Sequence, residues 1–150
     1  MYTPHTVTVY NTTTETDPAT FSDVTSNNIT VLRGVFLDSN KGYNVRATGL
    51  ETADSATLYI PFSTVGVDGV TGEEKTYSDP VSFWNAPDKS GLWTLSTDGN
   101  TFFVKGEVVE PGKSSVYINS KYGYVYDVTK CDRKDFGSAD MQHFEVGGKA

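Results

Sequence analysis

The chain has 150 residues, 37% of them hydrophobic and 13% aromatic, and twelve Lys and Arg against nineteen Asp and Glu leave a net charge of −7. A chain of this length forms one domain that buries roughly 68–70% of its unfolded surface. The charge argues against tight nucleic-acid binding, which needs clustered cations to displace phosphate counterions. The single cysteine, Cys131, rules out an internal disulfide and a zinc knuckle.

The opening Met1-Tyr2-Thr3-Pro4-His5 has no basic segment followed by an apolar run, so no signal peptide is expected. No stretch approaches the ~18 consecutive apolar residues of a membrane-spanning helix. Asn11-Thr12-Thr13 and Asn28-Ile29-Thr30 match the glycosylation pattern and are taken as chance matches.

In chain order, His5–Tyr10 sets Val7 and Val9 against Thr6, Thr8 and Tyr10, the period of two of a strand. Residues 11–28 are rich in Thr, Ser and Asp and suggest a polar excursion with a short strand near Ala19–Phe21. Ile29–Leu37 is apolar on both faces and predicts a central strand. Gly34 within it suggests a bulge or a close backbone approach. Asp38–Gly42 predicts a turn, and Tyr43–Thr48 a strand returning against the previous one. Ala56–Phe62 alternates cleanly, and Pro61, which lacks an N–H, marks its end or an edge position.

Residues 63–91 hold Gly66, Gly69, Gly72, Gly91, Pro80 and Pro87 and predict one long loop, a length that is usually functional or disordered. Pro80–Asn85 within it suggests a short helix or turn pinned by Phe83 and Trp84. Leu92–Ser96 and Thr101–Val109 flank Thr97-Asp98-Gly99-Asn100, a hairpin signal, and Pro111-Gly112 ends the second arm. Ser115–Asn119 is compatible with a short strand or a helical turn. Tyr124–Lys130 and Met141–Val146 predict the closing strands, before a flexible tail at 147–150. The expectation is a single all-β domain over 1–150, an antiparallel β-barrel or sandwich of about eight short strands.

Residue chemistry brings no reaction centre into view. His5 and His143 are the only histidines, and His143 beside Phe144 suits a surface or interface position. Cys131 lies in Lys130-Cys131-Asp132-Arg133, where neighbouring cations lower a thiol pKa, yet it is expected to be structural. Asp68 with Glu73 and Glu74 fits no EF-hand spacing. The Gly66, Gly69, Gly72 series has no strand-to-helix context and predicts a flexible loop rather than a phosphate cradle. No cofactor and no metal are expected. Exposed Tyr and Trp also suit a sugar-binding platform, so a carbohydrate-binding β-sandwich is the rival of another class, and an unrecognised hydrolase a third.

Several segments taken together resemble the minor capsid, or head-closure (stopper, head–tail joining), proteins of tailed bacteriophages and prophages of Gram-positive hosts. They are His5–Asn11, Thr30–Phe36, Ala53–Phe62, Gly91–Leu95, Phe103–Val108 and Phe136–Gly148, co-linear over almost the whole chain. The resemblance implies a non-enzymatic virion protein of the phage neck, assembled in the bacterial host cytoplasm. It implies a homo-oligomeric ring below the portal and its adaptor that retains packaged DNA and docks the tail terminator or tail tube proteins. Contact with double-stranded DNA would be passing and independent of sequence, with no membrane involved. Tail-terminator, tail-completion and capsid-decoration roles belong to the same class. Within this expectation the 63–91 segment faces the channel or a neighbouring subunit, with Asp68, Glu73, Glu74, Lys75 and Tyr77 at its working end and Phe83 and Trp84 as its anchor.

Overall fold

A computed structural model describes residues 2–40, 43–46, 49–52 and 55–150. The alternating segments become β1 (His5–Thr16), β2 (Asp23–Asn40), β3 (Tyr43–Arg46), β4 (Gly49–Thr52) and β5 (Ser55–Pro61). They are followed by β6 (Gly66–Asp68), β7 (Glu74–Tyr77), α1 (Pro80–Asn85), β8 (Leu92–Trp93) and β9 (Thr101–Lys105). Then come α2 (Ser115–Tyr122), β10 (Val125–Lys134) and β11 (His143–Lys149). One nine-stranded sheet runs β1-β9-β10-β11-β5-β2-β6-β7-β8, and β1 also pairs with β2, so six strands close into a ring. Every pairing in that ring is antiparallel. The all-β, barrel-like expectation holds, with eleven strands among the described residues instead of about eight.

Ring closure depends on β2, which serves three partners. Residues 23–35 pair with β1, Thr30–Leu32 pair on the other edge with β6, and Phe36–Asn40 pair with β5. The β1 register slips at Gly34: His5 faces Val35 while Thr6 faces Arg33. Gly34 has φ +81°, with open space around the position a Cβ would take. This is the bulge expected from its place in an apolar run. The inserted residue lets Leu32, Val35 and Leu37 all enter the core despite their odd spacing, and it turns Phe36 outward.

The ring interior is filled from all six strands, by Val7 and Val9, Leu32 and Leu37, Leu58 and Ile60, Phe103, Tyr126 and Val128, and Phe144 and Val146. A second cluster lies on the outer side of β1, β9 and β10, where Tyr10, Ile29, Phe102 and Val104 are covered by Val108 and by Ile118 of α2. The face of β1 that carries Thr8 and Tyr10 is therefore buried as well. Its polar atoms tie down residues 106–110. Thr8 Oγ1 donates to Gly106 O (2.7 Å) and accepts from Val108 N–H (3.0 Å), and Tyr10 Oη donates to Val108 O (2.6 Å).

Several expectations are corrected. Residues 11–28 are not an irregular excursion. β1 and β2 continue through them as a two-stranded ribbon, Thr12 to Thr16 against Asn27 to Asp23, because paired threonines and serines satisfy one another in water: Thr13 Oγ1 meets Ser26 Oγ at 2.7 Å. Ala19–Phe21 forms the turn, with Phe21 N–H donating to Asp17 O. β3 pairs with β4 and not with β2; the predicted 38–42 turn lies partly outside the described residues, and β2 runs through Asn40.

Residues 92–96 and 101–109 do not pair across the Asp98-Gly99 turn. β9 spends one edge on β1 and the other on β10, so no edge is left for that hairpin. The first arm goes instead to β7, in parallel, and to the buried Asn11 side chain, which donates to Thr94 O (2.9 Å) and accepts from Thr94 N–H (3.2 Å). Residues 115–119 open α2, capped by Ser114, whose Oγ accepts from Tyr117 N–H. The expected tail at 147–150 is largely strand, since Gly147, Gly148 and Lys149 pair with Thr57, Ala56 and Ser55.

Gly148 is a steric requirement, because a Cβ there would lie 2.7 Å from Phe103 Cζ and 2.8 Å from Tyr126 Cβ. Gly148→Ala is expected to cost about 1–3 kcal/mol by overpacking, while Gly91→Ala, in open space, should stay within about 0.5 kcal/mol. Urea midpoints compare the two, and equal midpoints would contradict the packing described.

Candidate functional site

The 63–91 segment is a folded flap on one edge of the ring. After β5 ends at Pro61, a turn closed by Thr64 N–H to Pro61 O (3.0 Å) delivers β6 to the free edge of β2, with Gly66, Val67 and Asp68 opposite Leu32, Val31 and Thr30. β7 returns against β6 and pairs in parallel with β8. Asp79 caps α1 by accepting from Ser82 N–H (3.0 Å), and Pro80 occupies its first turn. The long-loop expectation is thus corrected. Strands of three and four residues leave no readable alternation, and side chains hold them in place.

Lys75 is the key. Its side chain is fully buried and its Nζ donates to Ile29 O (3.0 Å), Thr30 Oγ1 (3.2 Å) and Asn28 Oδ1 and pairs with Asp68 Oδ2 (3.1 Å). Burial pulls this ammonium below the ordinary lysine value, and Asp68 opposes that pull. Burial pushes the Asp68 carboxyl up, but the amides of Thr71 and Val70 and the Lys75 ammonium outweigh it and hold it below 3.8. With four acceptors around one ammonium the charge is compensated, and the hairpin is keyed to β2.

The other predicted site residues divide between core and surface. Phe83 is fully buried and meets Trp84 edge-on at 4.7 Å. Trp84 is half-buried, and its Nε1 has no hydrogen-bond partner among the described residues. Tyr77 meets Trp93 edge-on at 5.1 Å and lies 4.5 Å from Phe144, and burial pushes its hydroxyl up to about 12. Glu73 and Glu74 are exposed at the hairpin tip. Of the seven, the structure brings Asp68 and Lys75 into direct contact, and only the two glutamates reach out freely.

The glycine series is likewise packed rather than flexible at its start: a Cβ on Gly66 would meet Trp93 Nε1 at 2.7 Å. Cys131 is half-buried against the core, where burial, then Asp132, pushes its thiol up to about 11, opposite to the lowering expected from its basic neighbours. Among the described residues no three His, Cys, Asp or Glu side chains gather as a metal would require, and no helix is long and apolar enough to cross a membrane.

Residue-by-residue inspection of the sequence missed an aromatic stripe on the outer wall. His5 lies 5.5 Å from Phe36, Phe36 5.7 Å from Tyr59, and Tyr59 5.8 Å from His143, so the stripe crosses β1, β2, β5 and β11 in turn. Tyr2, 76% exposed, leans on Phe36 at 6.3 Å. His5 also serves the bulge, since its Nδ1 accepts Leu37 N–H (3.0 Å) where the β1 ladder ends. Outward positions of Tyr59 and His143 follow from strand alternation, but that of Phe36 follows only from the bulge. Tyr2, Phe36, Tyr59 and His143 line a groove of about 440 Å³.

These features define an all-β ring domain with a keyed flap, a projecting ribbon and an aromatic outer wall. The chain belongs to the DUF6751 family, a family of unknown function whose model matches residues 2–149. No curated protein and no solved structure matches it significantly.

Lys75→Ala is expected to cost about 3–5 kcal/mol, the usual result of removing one partner of a buried pair. Because the folded-state pKa of Asp68 is depressed, its contribution to stability is complete above its ordinary value of 3.8 and is lost as pH falls through the folded value. Asp68→Asn should therefore flatten the acid limb of a stability–pH curve below about pH 4. Denaturant titrations across pH check both, and an unchanged acid limb would refute the role given to Asp68.

Proposed function

We propose that this protein is a structural, non-enzymatic subunit of the neck of a tailed bacteriophage, forming a head-closure ring between portal or adaptor and tail. In this role it retains packaged DNA, docks the tail terminator or tail tube proteins, and joins the virion in the host cytoplasm. The observation that carries the proposal is where the resembling segments fall. Five of the six resembling segments, His5–Asn11, Thr30–Phe36, Ala53–Phe62, Phe103–Val108 and Phe136–Gly148, cover much of β1, β2, β5, β9 and β11, five of the six strands of the closed ring, and the sixth, Gly91–Leu95, covers β8 outside it. A resemblance carried mostly by sheet strands supports a scaffolding role.

The physical properties are consistent with that role. A closed ring leaves few sheet edges and positions projecting hairpins rigidly. Copies carrying a charge of −7 each line a conduit to which DNA does not adhere. A head-to-tail interface between copies closes into a ring when its rotation completes a turn.

Particles made without this protein separate the assignments under the electron microscope. The head-closure role predicts filled or leaking heads without tails and loss of infectious titre. Tailed but fragile particles would instead indicate capsid decoration, heads beside tails of irregular length a tail terminator, and normal particles at normal titre would refute the neck assignment.

A further inference from the structure

Lys75 is the one charged residue buried among the described residues, and its side chain has no exposed surface. A buried ion pair is weak evidence of stabilisation, since an apolar side chain of similar volume often fills such a site as well or better. The groups around Lys75 are more specific than stability requires. Its amine touches a carboxamide, Asn28 Oδ1, and a carboxylate, Asp68 Oδ2, the latter at 3.1 Å. Amine, carboxamide and carboxylate are the nucleophile, electrophile and base of an amide exchange. Three neighbouring strands supply them: Asn28 lies on β2, Asp68 on β6 and Lys75 on β7.

The register fixes these backbones, because Asp68 pairs with Thr30 and Lys75 with Gly66. Each side chain is also held at its far end. Asn28 Nδ2 donates to Leu92 O (2.7 Å) and Lys89 O (3.2 Å). Asp68 Oδ1 accepts from Val70 N–H (2.8 Å) and Thr71 N–H (2.9 Å), which leaves Oδ2 to Lys75. Ile29 O (3.0 Å) and Thr30 Oγ1 (3.2 Å) accept from Nζ and aim it. Nζ therefore lies against Oδ1, one C–O bond of about 1.2 Å from the Asn28 carbonyl carbon. Reactants held in such contact behave as if at effective molarities of about 10⁵–10⁸ M, the kind of advantage that an otherwise inert carboxamide needs.

We propose that Lys75 Nζ and Asn28 Cγ join in an intramolecular isopeptide bond, with Asp68 as the catalytic base. The Lys75 ammonium passes one proton to Asp68 Oδ2, and the lone pair so freed attacks Asn28 Cγ. The Nζ–Cγ bond forms while the carbonyl electron pair moves onto Oδ1. Asp68 gives its proton to Nδ2 and takes one from Nζ. The pair on Oδ1 then restores the carbonyl, the Cγ–Nδ2 bond breaks, and ammonia leaves. It carries off the proton last held by Asp68, so the products are a secondary amide, the original carboxylate and one ammonium ion, with no co-reactant. Burial lowers the lysine pKa and so raises the share of free amine. The carbonyls of Leu92 and Lys89 favour Nδ2 as it gains positive charge. The hydrogen bonds described for Lys75 are those of the chain before reaction. The new bond ties β7 to β2 across 47 residues, a covalent brace that a chain with a single cysteine cannot make as a disulfide. It goes beyond the neck role and does not depend on it.

Intact-mass spectrometry of the full purified chain is the test. The expected mass lies one ammonia below that of the encoded chain. Trypsin is expected to leave Lys75 uncut and to release a branched peptide in which Lys75 is joined to Asn28. Asp68→Ala, shown to be folded by circular dichroism, should lower the linked fraction of fresh protein about tenfold or more, and Lys75→Met and Asn28→Ser should keep full mass. A wild-type chain of full mass that trypsin cuts after Lys75 would overturn the proposal, whatever the variants do. Ammonia loss that maps to another residue, such as a succinimide at a different asparagine, would do the same. A linked fraction unchanged in Asp68→Ala would overturn the role given to the carboxylate. The neck role is read separately, from head closure in particles, so either reading can fail alone.

Discussion

One inserted residue governs the arrangement of this domain. β2 must pair with β1 for most of its length and then change partner to β5, and the Gly34 bulge lies at that change. Without it, Leu32 and Val35 would fall on opposite faces, the ring interior would lose Val35 and Leu37, and Phe36 would point inward. The left-handed φ of Gly34 is accessible to glycine at little cost, and its open surroundings show that backbone conformation rather than packing space demands it. His5 completes the joint by taking Leu37 N–H where the ladder to β1 stops. The closed core and the aromatic outer wall are thus two consequences of a single local event.

Side-chain hydrogen bonds make several of the remaining joints. Asn11 replaces a stretch of ladder by holding both the N–H and the carbonyl of Thr94, and its Nδ2 also reaches Thr101 Oγ1 at 3.0 Å. Thr8 and Tyr10 do the same for residues 106–110, and Lys75 for the β6–β7 hairpin. Asn11, Thr8, Tyr10 and Lys75 each find partners for their buried polar atoms, which removes the penalty of an unsatisfied donor or acceptor. Such joints are directional. They attach the flap and the 106–110 segment at defined positions, where apolar contact alone would allow sliding.

What the sequence made legible was the set of ring strands. Val7 and Val9, Ala56 to Ile60, Tyr126 and Val128 alternate because one face of each enters a common core, and Gly34 stood out because glycine weakens a strand unless a bulge requires it. Illegible were the features created by long-range pairing. The Asp98-Gly99 turn promised a hairpin, but β1 and β10 had taken both edges of β9. The threonine-rich 11–28 segment lacks an apolar face because its ribbon stands in water. Lys75 looked like a loop cation because nothing local reveals that Asn28, Ile29 and Thr30 surround it. The aromatic stripe takes one residue from each of four strands, and no window of sequence contains more than one of its wall positions.

That the bulge sets which side of β2 faces the core can be checked by thiol labelling of two adjacent positions. Phe36→Cys and Leu37→Cys, each in a Cys131→Ser background, are exposed to a small maleimide under native conditions. Rapid labelling is expected at position 36 and protection at position 37 until the domain unfolds, since Leu37 is 6% exposed and packs in the ring interior. Protection at 36 with rapid labelling at 37 would mean that β2 runs without the bulge, and both the closed core and the outer aromatic wall would have to be abandoned.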